Sequence, residues 1–296
     1  MIKRLRVQSK TRPIQSHEKL WKQIIILTFV TFATAFSLLP LIITFLNSMK
    51  TNEQVAANIF ALPEWNTMFV AIKDNFSVAW ESIGPYFIKT IFIALITAVL
   101  ETIIVVLLAY ILTFKDFYFK NLVFMVFISI LLVPSIIGYP ILLPLIRDHM
   151  HLGKDNLYYI GYILPMLGGC QAPGMFLMRT FFSQQPKTLY ESAKIEGAND
   201  FRLILHITIP LALPIILYYF VGAFSGVYNE YLWASLFLDG NYTTLMTKMY
   251  SLVDNQSIQY GGMYAMYIIS SLPLIVTTII SMRYFKSGEF AAGLKL

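Results

Sequence analysis

The chain has 296 residues, 57% of them hydrophobic and only 13% charged, a balance that excludes an ordinary soluble domain and makes it an integral membrane protein. One cysteine, Cys170, excludes an internal disulfide and a multi-thiolate metal site. The formal net charge of +6 does not point to nucleic acid, because the basic residues follow membrane sidedness and form no single run or face.

In chain order, a basic tail (residues 1–20) precedes six long apolar runs at about 21–46, 85–114, 122–146, 157–182, 211–238 and 263–285. Roughly 20 apolar residues cross a bilayer as a helix, which satisfies its own backbone groups. The alternation of a membrane β-barrel is missing, and the window 91–100 is apolar on all sides. The expected fold class is an all-α integral membrane protein with six transmembrane helices spanning residues 21–285. The first run is longer than the apolar region of a signal peptide and lacks a small-x-small exit, so it is expected to be a retained anchor. Trp21, Trp80 and Trp233 fall near predicted helix ends, where interfacial tryptophans are expected.

Lysine and arginine concentrate on the cytoplasmic side of membrane proteins. Sixteen of the 22 basic residues lie in the N-terminal tail, between the second and third runs, between the fourth and fifth, and at the C-terminus, counting Lys22, Arg179 and Arg283 at the adjoining ends of runs. Both termini are therefore expected in the cytoplasm, and segments 47–84, 147–156 and 239–262 outside.

The second run carries an acid near its middle, Glu101. Thr90, Ala94, Thr97 and Glu101 recur at intervals of four, three and four, forming one small, polar helical stripe. A carboxylate at that depth does not face lipid cheaply, so the stripe is expected to face the bundle, with Glu101 either bonded across helices or lining a translocation path. At the end of the fifth run, Asn229, Glu230, Tyr231 and Trp233 place polar groups among aromatics. Such a cluster suits a path-facing or gating surface, or an interfacial anchor.

Between the fourth and fifth runs lies a polar stretch, residues 186–210. Pro186 starts a helix, Gly197 breaks it and Pro210 stops the next, which describes two short helices hinged at glycine. Glu191 precedes Lys194 by three residues, so an intrahelical ion pair is one expectation for it and an outward docking carboxylate the other.

Glu191-Ser192-Ala193, Gly197-Ala198 and Ile207-x-x-Pro210 resemble the EAA loop of ABC-importer permeases, with Ser192 in place of the usual alanine and Glu196 in place of aspartate. Residues 176–182 with Pro186 and Leu189, the run Tyr228-Asn229-Glu230-Tyr231-Leu232-Trp233, and the tail through Gly288 to Gly293 extend the likeness to carbohydrate-uptake permeases of the maltose-permease G type over essentially the whole chain. This resemblance implies a non-catalytic permease subunit of a binding-protein-dependent importer in a prokaryotic plasma membrane, for an oligosaccharide or sugar derivative. It also implies a second homologous permease subunit, two ATP-binding subunits that use ATP and magnesium, an external substrate-binding protein and surrounding lipid. No cofactor is expected on this chain, and Glu191, Ser192, Ala193, Gly197, Ala198, Ile207 and Pro210 would couple it to the ATPase. The segment 239–262 would meet the binding protein, and residues 286–296 would form a cytoplasmic tail contacting the ATPase. The sequence has no phosphate-binding loop of the Gly-x-x-x-x-Gly-Lys type. An ion-driven secondary transporter is the alternative; it predicts internal repeats with paired broken helices, and none is visible. An intramembrane enzyme lacks both an H-E-x-x-H helix and a G-x-S-x-G turn.

Overall fold

The computed structural model describes residues 20–285 apart from 154–156, 170 and 239. Both terminal tails and Cys170 lie outside the described residues. Every regular element among the described residues is helical, as the six apolar runs require. Among the described residues four helices are each long and apolar enough to cross a bilayer, and two bent pairs, each counted as one span, make six.

Helix α1 (Leu20–Asn47) is the first span, and none of its most apolar stretch is buried by the rest of the chain. Its hydroxyls return bonds to their own helix, as with Thr34 Oγ1 to the Val30 carbonyl (2.8 Å) and Thr44 Oγ1 to that of Pro40 (2.8 Å); hydrocarbon therefore meets few open polar groups. After α1 the chain is tied by a buried lysine. Lys50 Nζ donates to Asn47 Oδ1 (3.0 Å) and to the carbonyls of Asn58 (3.1 Å) and Ile59 (3.3 Å), using its three donors across short helix α2 (Asn52–Ala57). Burial holds the Lys50 ammonium below the ordinary lysine pKa.

Helix α3 (Trp65–Phe114) is the spine and departs from expectation. Sequence reading starts this helix at Pro85, yet the helix runs for 50 residues, roughly 75 Å at 1.5 Å per residue. Proline removes one backbone donor, but Ala71, Asn75, Ala79 and Ile83 form a buried stripe at four-residue spacing that carries the helix through it. Asn75 Nδ2 donates to the carbonyls of Ser48 (3.0 Å) and Lys50 (2.9 Å), so the pre-membrane half of α3 holds the end of α1.

The third run is not one straight helix. Helix α4 (Lys120–Ile130) and the helical segment from Ser135 to His149, which contains α5 (Tyr139–Pro144), meet at 95°. Pro134 is extended (φ −60°, ψ 128°) and disfavours the helical region for the residue before it, which accounts for the break. The fourth run folds as α6 (Tyr158–Gly169) and α7 (Gln171–Phe182). The elbow contains α8 (Lys187–Ile195) and α9 (Asp200–Leu203).

Here a second correction arises. Pro210 does not stop the elbow; it sits in the first turn of α10 (Ile209–Tyr228), the long helix entering the membrane. A π-type turn from Ile204 to Thr208 joins α9 to α10, with Ile209 N–H donating to the Ile204 carbonyl, and this widened turn immediately precedes the proline, which has no backbone donor to place. The fifth run also ends ten residues early. Asn229 closes α10, its side chain donating to the Ser225 carbonyl (2.9 Å), and short helix α11 (Leu232–Phe237) follows. The following segment forms α12 (Leu245–Asp254), with Leu245 and Met249 buried, before the last span α13 (Tyr260–Phe285). The described part of this segment is thus a packed helical element around α12 rather than a plain connector.

Along α3 the core divides in two. One cluster joins Ile83, Ala94 and Ala98 to Tyr162, Phe224, Tyr228, Trp233 and Met266. The other joins Val105, Ala109 and Tyr110 to Met178, Phe182, Tyr190, Leu203 and Ile215.

Candidate coupling site and translocation face

Helix α8 ends in a Schellman arrangement. Ala198 N–H donates to the Ala193 carbonyl (2.9 Å) and Gly197 N–H to that of Lys194 (3.0 Å), with Gly197 left-handed at φ +82°. Asn199 then caps α9, its Oδ1 accepting from Arg202 N–H at 2.9 Å. The glycine hinge expected from sequence is present, and each end is closed by local bonds.

What seats this elbow is a set of residues that sequence reading missed. Tyr190 points inward, 4% exposed, its ring stacked 4.2 Å from that of Phe114 at the end of α3. Its hydroxyl bonds Gln185 and lies 3.1 Å from Thr208 Oγ1. Asp200 accepts from Tyr110 Oη (3.1 Å) and from Lys115 Nζ (2.6 Å), fixing the start of α9 to α3. Arg179 donates from Nε to the Leu112 carbonyl at 3.3 Å. The two aromatic side chains of the loop, Tyr190 and Phe201, look alike in sequence, yet one is buried in this seat and the other exposed.

The residues expected to couple divide by face. Ala193, Ala198 and Ile207 pack, partly buried, against the cluster around Tyr190. Glu191, Ser192, Gly197 and Pro210 are exposed. Glu191 makes no ion pair with Lys194 within 4 Å, so the local pairing is not formed. Ser192 Oγ donates to the Thr188 carbonyl at 2.8 Å. Beside them Ile195 and Phe201 are 88% and 69% exposed, two large apolar side chains on a polar elbow, which is a pattern of surface that awaits a partner.

The α3 stripe is buried along its length: Thr90, Ala94, Thr97 and Glu101 are all at most 1% exposed. Thr90 Oγ1 accepts from Leu245 N–H at 2.8 Å, so the N-terminal end of the stripe receives the first turn of α12. Glu101 lies between the two core clusters. Trp233, expected at the interface, is instead 1% exposed; its Nε1 donates to the Tyr162 carbonyl (3.1 Å) and its ring stacks on Phe237. Glu230 Oε1 accepts from Trp233 N–H at 2.6 Å, opening α11, and Tyr231 packs 4.7 Å from Tyr250 of α12. The Asn-Glu-Tyr run therefore builds a helix break, because short polar side chains compete for nearby backbone groups. Asn229 is exposed, and Trp21 and Trp80 are about half exposed.

A groove of about 750 Å³ runs between α7, α10 and α13, lined by Gly174, Tyr218, Gly222, Ser225, Thr278 and Ser281 among others. Neither Glu101 nor residues 229–233 line it. Among the described residues no group of three histidine, cysteine or carboxylate side chains could hold a metal ion.

Residues 105–288 match the family described as binding-protein-dependent transport system inner membrane component. The arabinooligosaccharides transport system permease protein of Halalkalibacterium halodurans is 27% identical, over 98% of this chain and 100% of its own length. The diacetylchitobiose uptake system permease protein of Streptomyces coelicolor is 24% identical over 86% of this chain and 83% of its own. The maltodextrin transport system permease protein of Streptococcus pneumoniae is 26% identical over 86% and 89%. Among solved structures, a bacterial ABC transporter involved in the import of the acidic polysaccharide alginate contains a chain that superposes with a TM-score of 0.73, covering 93% of this chain and 100% of that one at 20% identity. That likeness shows the fold.

Proposed function

The chain belongs to the family of binding-protein-dependent transport system inner membrane components, and from that premise we propose that it is the permease subunit of an ABC importer for an oligosaccharide or sugar derivative. It carries no chemistry of its own and forms half of a translocation path, with a second, homologous permease subunit supplying the other half. The names of its relatives, which transport arabinooligosaccharides, diacetylchitobiose and maltodextrin, support the substrate class.

The observation that carries the coupling role is the elbow's division into two faces. Its inner face is fixed to the end of α3 by Tyr190 and Asp200; its outer face presents Glu191, Ser192, Ile195 and Phe201. A surface that is rigidly held and apolar at its tip suits docking into a groove on a separate ATP-binding subunit, with Glu191 taking a basic residue there. ATP binding would bring the two elbows of the assembly together. The load would reach α3 through the seat, and the bundle would exchange two discrete packings. In this reading the elbow and both tails are cytoplasmic, residues 21–285 form the permease domain with 186–210 as its coupling loop, and α12 faces the binding protein outside.

Purification tests it. The tagged chain should bring down an ATP-binding subunit and a second permease, and a cysteine placed at Ser192 should crosslink to the ATP-binding subunit. Substrate uptake driven by an ion gradient by the chain alone, without ATP, would instead establish a secondary transporter.

A further inference from the structure

We infer that the turn between α3 and α4, together with Arg179 of α7, forms a binding site for the phosphate headgroup of an anionic phospholipid on the membrane face that carries the elbow. A cleft of about 490 Å³ lies there, lined by Asp116, Phe117, Phe119, Lys120, Asn121 and Arg179. It holds two cations and one carboxylate. Lys120 Nζ sits 3.2 Å from Asp116 Oδ1, leaving the Arg179 charge uncompensated: among the described residues no carboxylate lies within 4 Å of it.

The guanidinium is also held in place. Arg179 Nε donates to the Leu112 carbonyl (3.3 Å), and its central carbon lies 3.6 Å from the centroid of the Phe124 ring. Stacked and tethered at one edge, it keeps its terminal nitrogens for an acceptor, and a fixed planar fork matches phosphate oxygens two at a time. The first turn of α4 adds to the same cleft. Its N-cap Phe119 is left-handed at φ 65° and provides no side-chain cap; Lys120 N–H turns back to the Phe117 carbonyl (3.3 Å), which leaves the amides of Asn121 and Leu122 at the positive end of an 11-residue helix for an anion.

A lipid headgroup fits the surroundings better than free phosphate. The cleft lies where two apolar spans end, and Phe117, Tyr118, Phe119 and Leu122 around it are 41%, 93%, 73% and 54% exposed. Aromatic side chains next to a basic cleft at the end of a span suit the depth of headgroups, with acyl chains beside them.

The test uses the purified full chain exchanged with phosphatidylglycerol or phosphatidylcholine and native mass spectrometry of retained lipid. Phosphatidylglycerol should be retained in preference, and Arg179→Gln should lower its retention about tenfold, the weight of a charge-assisted bond. Lys120→Gln, at a cation already paired with Asp116, should lower it less and serves if Arg179→Gln folds poorly. Preference for phosphatidylglycerol that survives in both variants overturns the site. Equal retention of the two lipids, with inorganic phosphate binding lost in the variants, assigns the cleft to free phosphate and overturns the lipid reading.

Discussion

Lys115 Nζ stands 2.6 Å from Asp200 Oδ2, joining the end of the longest helix to the start of the elbow's second helix across 85 residues of sequence. Both side chains are partly exposed, at 40% and 47%, so solvent screening limits the pair to about 0.5 kcal/mol of stability. Its position matters more than its energy. If the elbow drives α3 through this contact, Asp200→Asn and Lys115→Met should each lower uptake per ATP hydrolysed several-fold while thermal stability changes little. The exchanged pair Lys115→Asp with Asp200→Lys should recover part of the loss. Single variants with an unchanged uptake-to-hydrolysis ratio would reduce the contact to an ordinary surface ion pair.

Gly197 offers a separate test, because space and backbone give opposite answers there. A Cβ built at Gly197 meets nothing within 4 Å, yet φ is +82°. Gly197→Ala should therefore cost only the left-handed penalty, about 1 kcal/mol, and keep most uptake. Asparagine, which tolerates that conformation, should be closer still to wild type. Gly197→Pro fixes φ near −65° and should abolish uptake with normal amounts of protein in the membrane. Equal uptake by the alanine and proline variants would mean that the turn is not needed.

The elbow's glycine hinge and the six apolar runs were legible because each rests on a local rule: glycine at a left-handed position, and about 20 apolar residues to cross a bilayer. The seat of the elbow was not. Tyr110, Lys115, Tyr190 and Asp200 come together only when α3 and the elbow pack, and no spacing within one segment announces contacts 85 residues apart. Pro85 misled in the opposite direction. As a local signal it reads as a boundary, whereas packing of Ala79 and Ile83 continues the helix across it. Trp233 likewise looks interfacial by its place in the sequence, but the early end of α10 at Asn229 turns it into the core.

Two glycines on facing helices separate close packing from open space. A Cβ at Gly174 of α7 would lie 2.2 Å from Tyr219 Cε2 of α10, while one at Gly222 meets nothing within 4 Å. Gly174→Ala should lower the thermal midpoint in detergent, at an overpacking cost of about 1–3 kcal/mol. Gly222→Ala should leave it within error. A Gly174→Ala midpoint equal to wild type would show that Tyr219 swings away without cost.

Glu101 has no exposed surface and lies between the two core clusters of α3, about 20 Å from the helix end at Phe114. The sequence leaves it either bonded across helices or lining the path; it is buried among packed residues and does not line the groove between α7, α10 and α13, and substitution separates the two roles. Glu101→Gln keeps the shape and an acceptor and should preserve assembly and most uptake. Glu101→Leu keeps the bulk but leaves any polar partner unsatisfied, a loss of about 1–3 kcal/mol, and should reduce the assembled complex recovered from membranes several-fold. Assembly is measured by recovery of the tagged complex, and transport by uptake per assembled complex. A leucine variant that assembles normally but does not transport would place Glu101 on the path wall. One that assembles and transports normally would remove both roles.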